Sequence, residues 1–594
     1  MYAIAEQLDH AIQLRYNRWK RAAELPSYLR KELEELKAGE ITDRFYKHLD
    51  FGTDGIREKV GVGTNRMNIF TVRRIAMALA EELKASGFSA GQRGVAIAFD
   101  NRLLSRAFAE QAAFVLSRND IKVYLFEQAI PTPELSFAIR LLHAAAGIMI
   151  TAGSHPYNYN GCKLFTDTGS VMPLESTKRL SRRLLAMEDE VGIDIMDGQD
   201  AVHMGRLVMI GKEVAEAYQR SLESIVSDER EHKLIASNLH AVFTPLHGIS
   251  GETMATLFRR TGYKNVHMVE EQFAPDPLFP TLSCPDPQDP GSIAHALRAA
   301  TRHDADIVMA ADPESQELGV SVKCNKGKYR QLTPNQLGSL LLDYRCEQRK
   351  ARCEQRKAYL NEQQQPGIFI KSVLTTELSA AIAVKHGLKV MNALPGFSNI
   401  AARITEQEQQ GEQPFFFAFD ESGGYLPSDF VRDKDALQAA LLTAEMAAYY
   451  KAKNQTLWDR LQKLYQIYGF YLEDQISLTF TGIEGWQRVR NVMERLHAES
   501  PKLFGSLVVR RIFDYRAGKI RWMRKGRNQS ATGQPKANII KYLFDEGSWC
   551  AVRPSGSEPV LKLYYGCKDA TEEGCKRKLA RIRSALLYYV ESII

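Results

Sequence analysis

VRRIAMALAEELKASGFSAGQRGVAIAFDNRLLSRAFAEQAAFVLSRNDIKVYLF, residues Val72–Phe126, decides how the chain folds. Val72–Ala85 places apolar residues at helical spacing, whereas Gly94–Phe99 and Val123–Phe126 are short apolar runs bounded by turn residues. Strand runs separated by a helix imply βαβ units, hence parallel or mixed sheets. The same alternation returns at Leu239–Thr244, Ile307–Ala311, Ile368–Leu374 and Phe415–Phe419. The first ~50 residues read as helices packed in front of the first of these units.

Breaks near 215, 330 and 455 divide the chain into segments 1–215, 216–330, 331–455 and 456–594. Lys326-Gly327-Lys328 precedes the second break, and Lys453-Asn454-Gln455 marks the third, after a long Ala-rich helix. The last segment is richer in Arg and Lys and changes its strand–helix order, so it reads as an α+β domain. Four domains suit 594 residues at ~150 residues per domain.

The charge balance, 78 Lys+Arg against 71 Asp+Glu, is too diffuse to point to nucleic acid. MYAIAEQLDHAIQLRYNRWK at the N-terminus is charged throughout, with no apolar core of a signal sequence. Apolar stretches such as Ala144–Ile150 fall short of the ~20 residues a membrane span needs. Eight cysteines lie scattered without a C-x-x-C pair, so a reducing, cytoplasmic setting without a membrane partner is expected. RCEQRKA occurs twice in succession, at Arg345–Ala351 and Arg352–Ala358. Rich in helix formers and seven residues long, it reads as a lengthened, solvated helix with Cys346 and Cys353 exposed or half-buried. A partner copy or another protein partner is left open.

Five loops fall at ends of predicted strands, where open α/β sheets present ligand sites. Arg553-Pro-Ser-Gly-Ser-Glu-Pro559 offers backbone N–H groups and hydroxyls from Ser555, Gly556 and Ser557, with Arg553 as a fork-shaped cation, to a phosphate. Asp420-Glu421-Ser422-Gly423-Gly424 sets Glu421 and Ser422 for sugar hydroxyls. Thr151-Ala-Gly-Ser-His-Pro-Tyr-Asn-Tyr-Asn-Gly161 carries Ser154 as a candidate nucleophile beside His155, a dipeptide that is by itself often incidental. Asp312-Pro-Glu-Ser-Gln-Glu317 alternates oxygen ligands suited to Mg²⁺, though an acidic turn without metal fits as well. Phe51-Gly-Thr-Asp-Gly-Ile-Arg57 brings Arg57 close behind two glycines.

In this order the loops resemble the α-D-phosphohexomutase superfamily, in its phosphoglucomutase/phosphomannomutase branch, which includes phosphopentomutase-like proteins. Further matching stretches are Asn65-Arg-Met-Asn68, Pro131-Thr-Pro-Glu-Leu-Ser136, Thr244-Pro-Leu-His-Gly248, Pro275-Asp-Pro-Leu-Phe-Pro280 and Thr375-Thr-Glu377. The resemblance implies four domains around a central cleft, three related α/β domains with mixed sheets and a C-terminal α+β domain. It also implies a two-step phosphoryl transfer through a phosphoserine, with Mg²⁺ neutralising developing charge and a sugar bisphosphate as intermediate and activator. On that pattern Ser154, His155 and Arg57 would be catalytic. Ser154, Asp312, Glu314 and Gln316 would hold the metal, Glu421 and Ser422 the sugar, and Arg553, Ser555, Gly556 and Ser557 the phosphate.

The chain departs from the pattern where phosphate reacts. The family's T-A-S-H-N-P reads Thr151-Ala-Gly-Ser-His-Pro156, so gapless alignment puts Gly153 at the nucleophile, and a shifted one uses Ser154-His155. D-P-D-A-D-R-L-G reads Asp312-Pro-Glu-Ser-Gln-Glu-Leu-Gly319, with neutral Gln316 and with Glu317 for arginine. T-G-F-K reads Pro395-Gly-Phe-Ser398, losing a cation. The expectation is a phosphosugar-binding protein of carbohydrate metabolism with weak or lost Mg²⁺ binding and weakened or lost mutase activity. The alternative is an active intramolecular phosphotransferase, interconverting sugar 1- and 6-phosphates or pentose 1- and 5-phosphates through phospho-Ser154 and Mg²⁺.

Overall fold

In the computed structural model, the alternation read from Val72–Phe126 builds one six-stranded sheet. The structure describes residues 2–52, 55–226, 230–324, 327–360, 367–411, 413–499, 501–523, 530–556 and 559–593. They fall into two units, one comprising Met1–Gln331 and Gly424–Ala452, the other Leu332–Gly423 and Lys453–Ile594.

The six strands of the first unit run in the order Ile56–Lys59, Tyr159–Thr166, Ala146–Ile150, Val95–Phe99, Val123–Phe126 and Leu207–Ile210. The last four are mutually parallel, and Tyr159–Thr166 is antiparallel to both its neighbours. Every residue of Val95–Phe99 is buried because both faces of the sheet are covered. Successive side chains point to opposite faces. Val95 and Ile97 pack on helices Ile69–Ala85 and Ser105–Arg118, while Ala96 and Ala98 pack on Thr132–Leu141. Asn68 caps Ile69–Ala85 by accepting from the N–H groups of Phe70 and Thr71. Its amide also donates to Gly61 and Gly63, so this matching stretch serves a helix start.

Three helices, Tyr2–Arg21, Ser27–Glu34 and Ala38–Phe45, precede the sheet as expected. Trp19, fully buried, meets Phe45 and Phe70 edge-on at 5.9 and 5.2 Å. The second sheet orders Tyr329–Gln331, Leu318–Lys323, Ile307–Ala311, His240–Thr244 and Asn265–Met268. Ile307–Ala311 is parallel to His240–Thr244 but turns back antiparallel into Leu318–Lys323. Residues 312–317 form that return. Helix Ala436–Ala452 packs within this first unit and is buried along nearly its whole length.

In the second unit, Ile368–Ser372 lies between and parallel to Lys389–Ala393 and Phe415–Phe419. A seven-stranded sheet follows, led by Phe470–Thr479 against Val560–Asp569 and Trp549–Pro554 against Val560–Asp569. All its described pairings are antiparallel. The architecture is therefore three mixed α/β domains and a C-terminal α+β domain. Among the described residues no helix is long and apolar enough to cross a membrane.

Helix Pro334–Leu360 runs through both copies of the repeat. The expectation of a solvated face fails for the first copy. Cys346 is 1% exposed, Arg345 and Arg349 lie 5.0 Å over the Phe416 ring, and Glu347 pairs with Arg460 at 2.6 Å. The helix packs on its neighbours Glu377–Lys385 and Leu457–Tyr468, which a seven-residue period could not reveal. The side chains of the second copy, including Cys353, lie outside the described residues.

One buried acid makes a testable contribution to stability. Glu134 on helix Thr132–Leu141 is 4% exposed, its Oε1 has no hydrogen-bond partner, and burial pushes its carboxyl up to about 8. The native state then keeps a proton that the unfolded chain releases above its ordinary value of 4.5, so stability falls as pH rises toward the native value. Relative to Glu134→Gln, the native chain should lose about 5 kcal/mol across that window at roughly 1.4 kcal/mol per pH unit. Urea unfolding of both proteins across the window checks this; parallel pH profiles would refute it.

Candidate functional site

Two groups of loops gather the residues singled out by sequence, one group in each unit. In the first unit, the loop after Ala146–Ile150 and the loop after Ile307–Ala311 both leave the C-terminal ends of parallel strands, where such sheets bind ligands.

The first loop is held from below by a residue that sequence reasoning missed. Arg102 Nη2 donates to the carbonyls of Gly153 and His155, both at 2.6 Å. Its Nη1 donates to those of Pro156 and Tyr159 at 2.9 and 3.2 Å. The guanidinium lies over Phe279 at 4.9 Å and beside Asp100 at 3.4 Å, both side chains fully enclosed. Asp100 in turn accepts from Ser105 at 2.7 Å. A signal existed in Asp100-Asn-Arg102 directly after a strand, but no pattern says that such an arginine turns inward.

Gly153 adopts φ +58°, a left-handed conformation that glycine takes without strain. A Cβ there would meet Glu314 Oε1 at 2.8 Å and Arg57 Nη2 at 3.6 Å. The position that gapless alignment gives to the nucleophile thus looks at the acidic loop and at Arg57, and it carries no hydroxyl. Ser154 is half-buried; its carbonyl accepts from the Cys284 thiol at 2.6 Å, and its hydroxyl makes no hydrogen bond among the described residues. His155 Nδ1 sits 2.9 Å from the Ala152 carbonyl, which assigns the proton to Nδ1. Burial, then Arg57 and Arg102, lower its pKa to about 4, so the ring is neutral near pH 7.

The acidic loop closes on a lysine. Lys163 Nζ donates to Glu314 Oε1 and Oε2 at 2.7 and 2.9 Å and to Gln316 Oε1 at 2.8 Å, with its side chain fully enclosed. Thr132 Oγ1 donates to Glu314 Oε2 at 2.6 Å, and Arg57 Nη2 lies 4.0 Å from Oε1. Burial alone would raise the Glu314 carboxyl, but Lys163, Arg57 and these hydrogen bonds outweigh it and hold the group low. Gln316 Nε2 donates to Asp433 at 2.5 Å. Asp312 Oδ1 accepts the backbone N–H of Gln316 and Glu317 at 2.6 and 2.8 Å. Burial, and then Glu314 and Glu317, push the Asp312 carboxyl up. Glu317, the reversed charge, is neutralised by Lys434 at 2.5 Å.

These residues do not fit a divalent cation. Mg²⁺ asks for several anionic oxygens in tight octahedral geometry. Here both Glu314 oxygens already meet an ammonium, Gln316 is neutral, and Asp312 faces backbone donors. Among the described residues no group of three or more His, Cys, Asp or Glu could hold a metal ion.

In the second unit, Asp420 Oδ1 accepts from the Ser422 N–H and hydroxyl at 3.1 and 2.8 Å, folding the turn. Ser422 is exposed and Glu421 half-buried. Glu421 Oε2 is a buried oxygen without a hydrogen-bond partner, and Arg553 Nε is a buried donor in the same condition. Both flank Tyr564: the Arg553 guanidinium lies 5.7 Å from its ring, and both charges act on its phenol, which burial above all raises. An orphan carboxylate oxygen and an orphan guanidinium donor in one neighbourhood suit a ligand carrying hydroxyls and an anion. The Ser555 N–H donates to Val560 at 2.7 Å, closing the turn of the hairpin, and Gly556 is exposed. Ser557 lies outside the described residues. Nearby in sequence to the Thr375-Thr-Glu377 stretch, Lys371 and Lys541 approach Glu377 at 3.2 and 3.8 Å, a buried cation pair that patterning missed. Ser398 is half-buried at the start of helix Phe397–Gln410.

Comparison with known proteins bears on the domain order and the fold. Four family models of phosphoglucomutase/phosphomannomutase match in order: α/β/α domain I at residues 48–190, domain II at 216–327, domain III at 333–468 and the C-terminal domain at 488–581. A phosphoglucomutase of Staphylococcus aureus is 34% identical over 550 residues, 92% of this chain and 95% of that one. The phosphoglucomutase of Staphylococcus saprophyticus is 32% identical over 532 residues, 90% and 92% of the two chains. Among solved structures, the open form of pp63/parafusin, a phosphoglucomutase of Paramecium, superimposes with a TM-score of 0.65 at 16% identity, covering 92% and 96% of the chains. A phosphoglucomutase/phosphomannomutase family protein of Burkholderia thailandensis gives 0.62 at 18% identity, covering 90% and 96%.

Proposed function

The chain belongs to the phosphoglucomutase/phosphomannomutase family, and from that premise we propose that it binds a hexose monophosphate while transferring phosphate slowly or not at all. Glucose phosphates are the first candidates, because the relatives above carry the name phosphoglucomutase. In this reading Arg553, with Ser555 and Gly556, takes the non-reacting phosphate, and Glu421 and Ser422 take sugar hydroxyls. The orphan polar atoms of Glu421 and Arg553 support the binding half. Gly153 carries the other half: the backbone position facing Glu314 and Arg57 has no oxygen to phosphorylate.

A second reading is an active mutase phosphorylated on Ser154. Relatives named phosphoglucomutase, spanning nine-tenths of the chain, support an active mutase; Ser154 enters as the hydroxyl next to Gly153. One experiment separates the two. Glucose 1-phosphate and glucose 1,6-bisphosphate are supplied with Mg²⁺, glucose 6-phosphate is followed, and the protein is weighed intact. Losing the nucleophile and the metal's charge stabilisation, several kcal/mol, should lower turnover ~10³-fold or more against a typical family member. Fast turnover with a phosphate adduct, both abolished by Ser154→Ala, would establish the second reading and overturn the first.

A further inference from the structure

We infer that Lys163 is the resident cation of the acidic loop: its ammonium occupies the oxygens of Glu314 and Gln316 and keeps divalent metal out. Three observations converge. The ammonium meets three oxygens at 2.7–2.9 Å with no solvent access, so a metal reaching those oxygens must first expel a buried charge. Gln316 cannot turn its amide away, because Nε2 is anchored on Asp433. Of the loop's other acids, Asp312 spends Oδ1 on two backbone N–H groups and Glu317 is paired with Lys434. An ammonium on strand Tyr159–Thr166 is also covalently part of the sheet, so its position needs no free ion and does not respond to chelators.

The consequence for ligands rests on the phosphosugar reading above: an anionic group arriving at Gly153 meets Arg57 and a lysine-neutralised Glu314 rather than a metal. Binding of a sugar phosphate is then independent of divalent cation. This also explains why Glu314 is tolerated in place of a shorter acid, since the longer side chain presents both oxygens to one ammonium.

The test begins without sugar. Mn²⁺ is titrated into the native full-length chain and the free hexaaqua ion is read by electron paramagnetic resonance; no loss of free signal is expected. Stoichiometric Mn²⁺ binding that Glu314→Gln abolishes would overturn the inference. The double variant Lys163→Met with Gln316→Asp, checked for folding by circular dichroism, should gain Mn²⁺ binding. A folded double variant that still ignores the ion would overturn the role given to Lys163; if it does not fold, the native titration decides. Calorimetry with glucose 1-phosphate in EDTA and in Mg²⁺ should give the same affinity, and an affinity lost in EDTA would overturn the second half. If the sugar phosphate binds in neither buffer, the proposed function fails while the Mn²⁺ result stands on its own.

Discussion

Arg102→Ala is expected to destabilise the chain by ~3–5 kcal/mol, the scale for breaking a buried ion pair by removing one partner. The arginine is fully enclosed with Asp100, and burial already pushes the Asp100 carboxyl up, with Arg102 the chief opposing influence. Without the guanidinium, Asp100 is a buried charge with only hydroxyl and amide donors, and four carbonyls of the loop 153–159 each lose one hydrogen bond at once, Pro156 keeping a second from the Tyr159 N–H. Arg102→Lys should recover only part of the loss. A point-like ammonium cannot serve four acceptors from two nitrogens. The midpoint of urea unfolding reads both variants, and a change below about 1 kcal/mol for alanine would mean that the loop is held by other contacts.

The second large effect concerns ligand affinity. If Arg553 takes the distal phosphate as proposed, Arg553→Ala should weaken binding of glucose 1-phosphate and glucose 6-phosphate alike by ~1.5–3 kcal/mol, the scale of a hydrogen bond to a charged group. Both isomers should suffer, because this group faces the phosphate that does not react in either orientation. The variant also removes the guanidinium from the Tyr564 ring, so urea unfolding is measured beside affinity. Calorimetry decides: equal dissociation constants for native and variant chains would remove Arg553 from the binding role, whatever the fate of the transfer step.

Legibility in the sequence followed the range of the interactions involved. Strand and helix positions read from Val72–Phe126 agree with the structure because full burial of Val95–Phe99 demands an apolar run, and period alone separates it from Ile69–Ala85. The loops could be placed for the same reason, as polar residues at strand ends. Partners across the fold could not. Thr132 and Glu314 are 182 residues apart yet share a hydrogen bond, and Lys163 reaches Gln316 across 153. The misjudged first copy of RCEQRKA has the same cause: Cys346 is buried by neighbouring elements that no helical period announces.

By itself, the order of residues determined the α/β layering, the four-part organisation and the absence of a side-chain oxygen at position 153, since each depends on local period or on the chemistry of one side chain. Tertiary structure alone decided which charge sits in the acidic loop. A carboxylate buried beside strand Tyr159–Thr166 must be neutralised by something, and in linear sequence any nearby cation or ion could serve. Only the antiparallel register of that strand, bringing Lys163 opposite Met149 and its ammonium against Glu314, selects the lysine, because burial leaves the carboxylate no water to turn to.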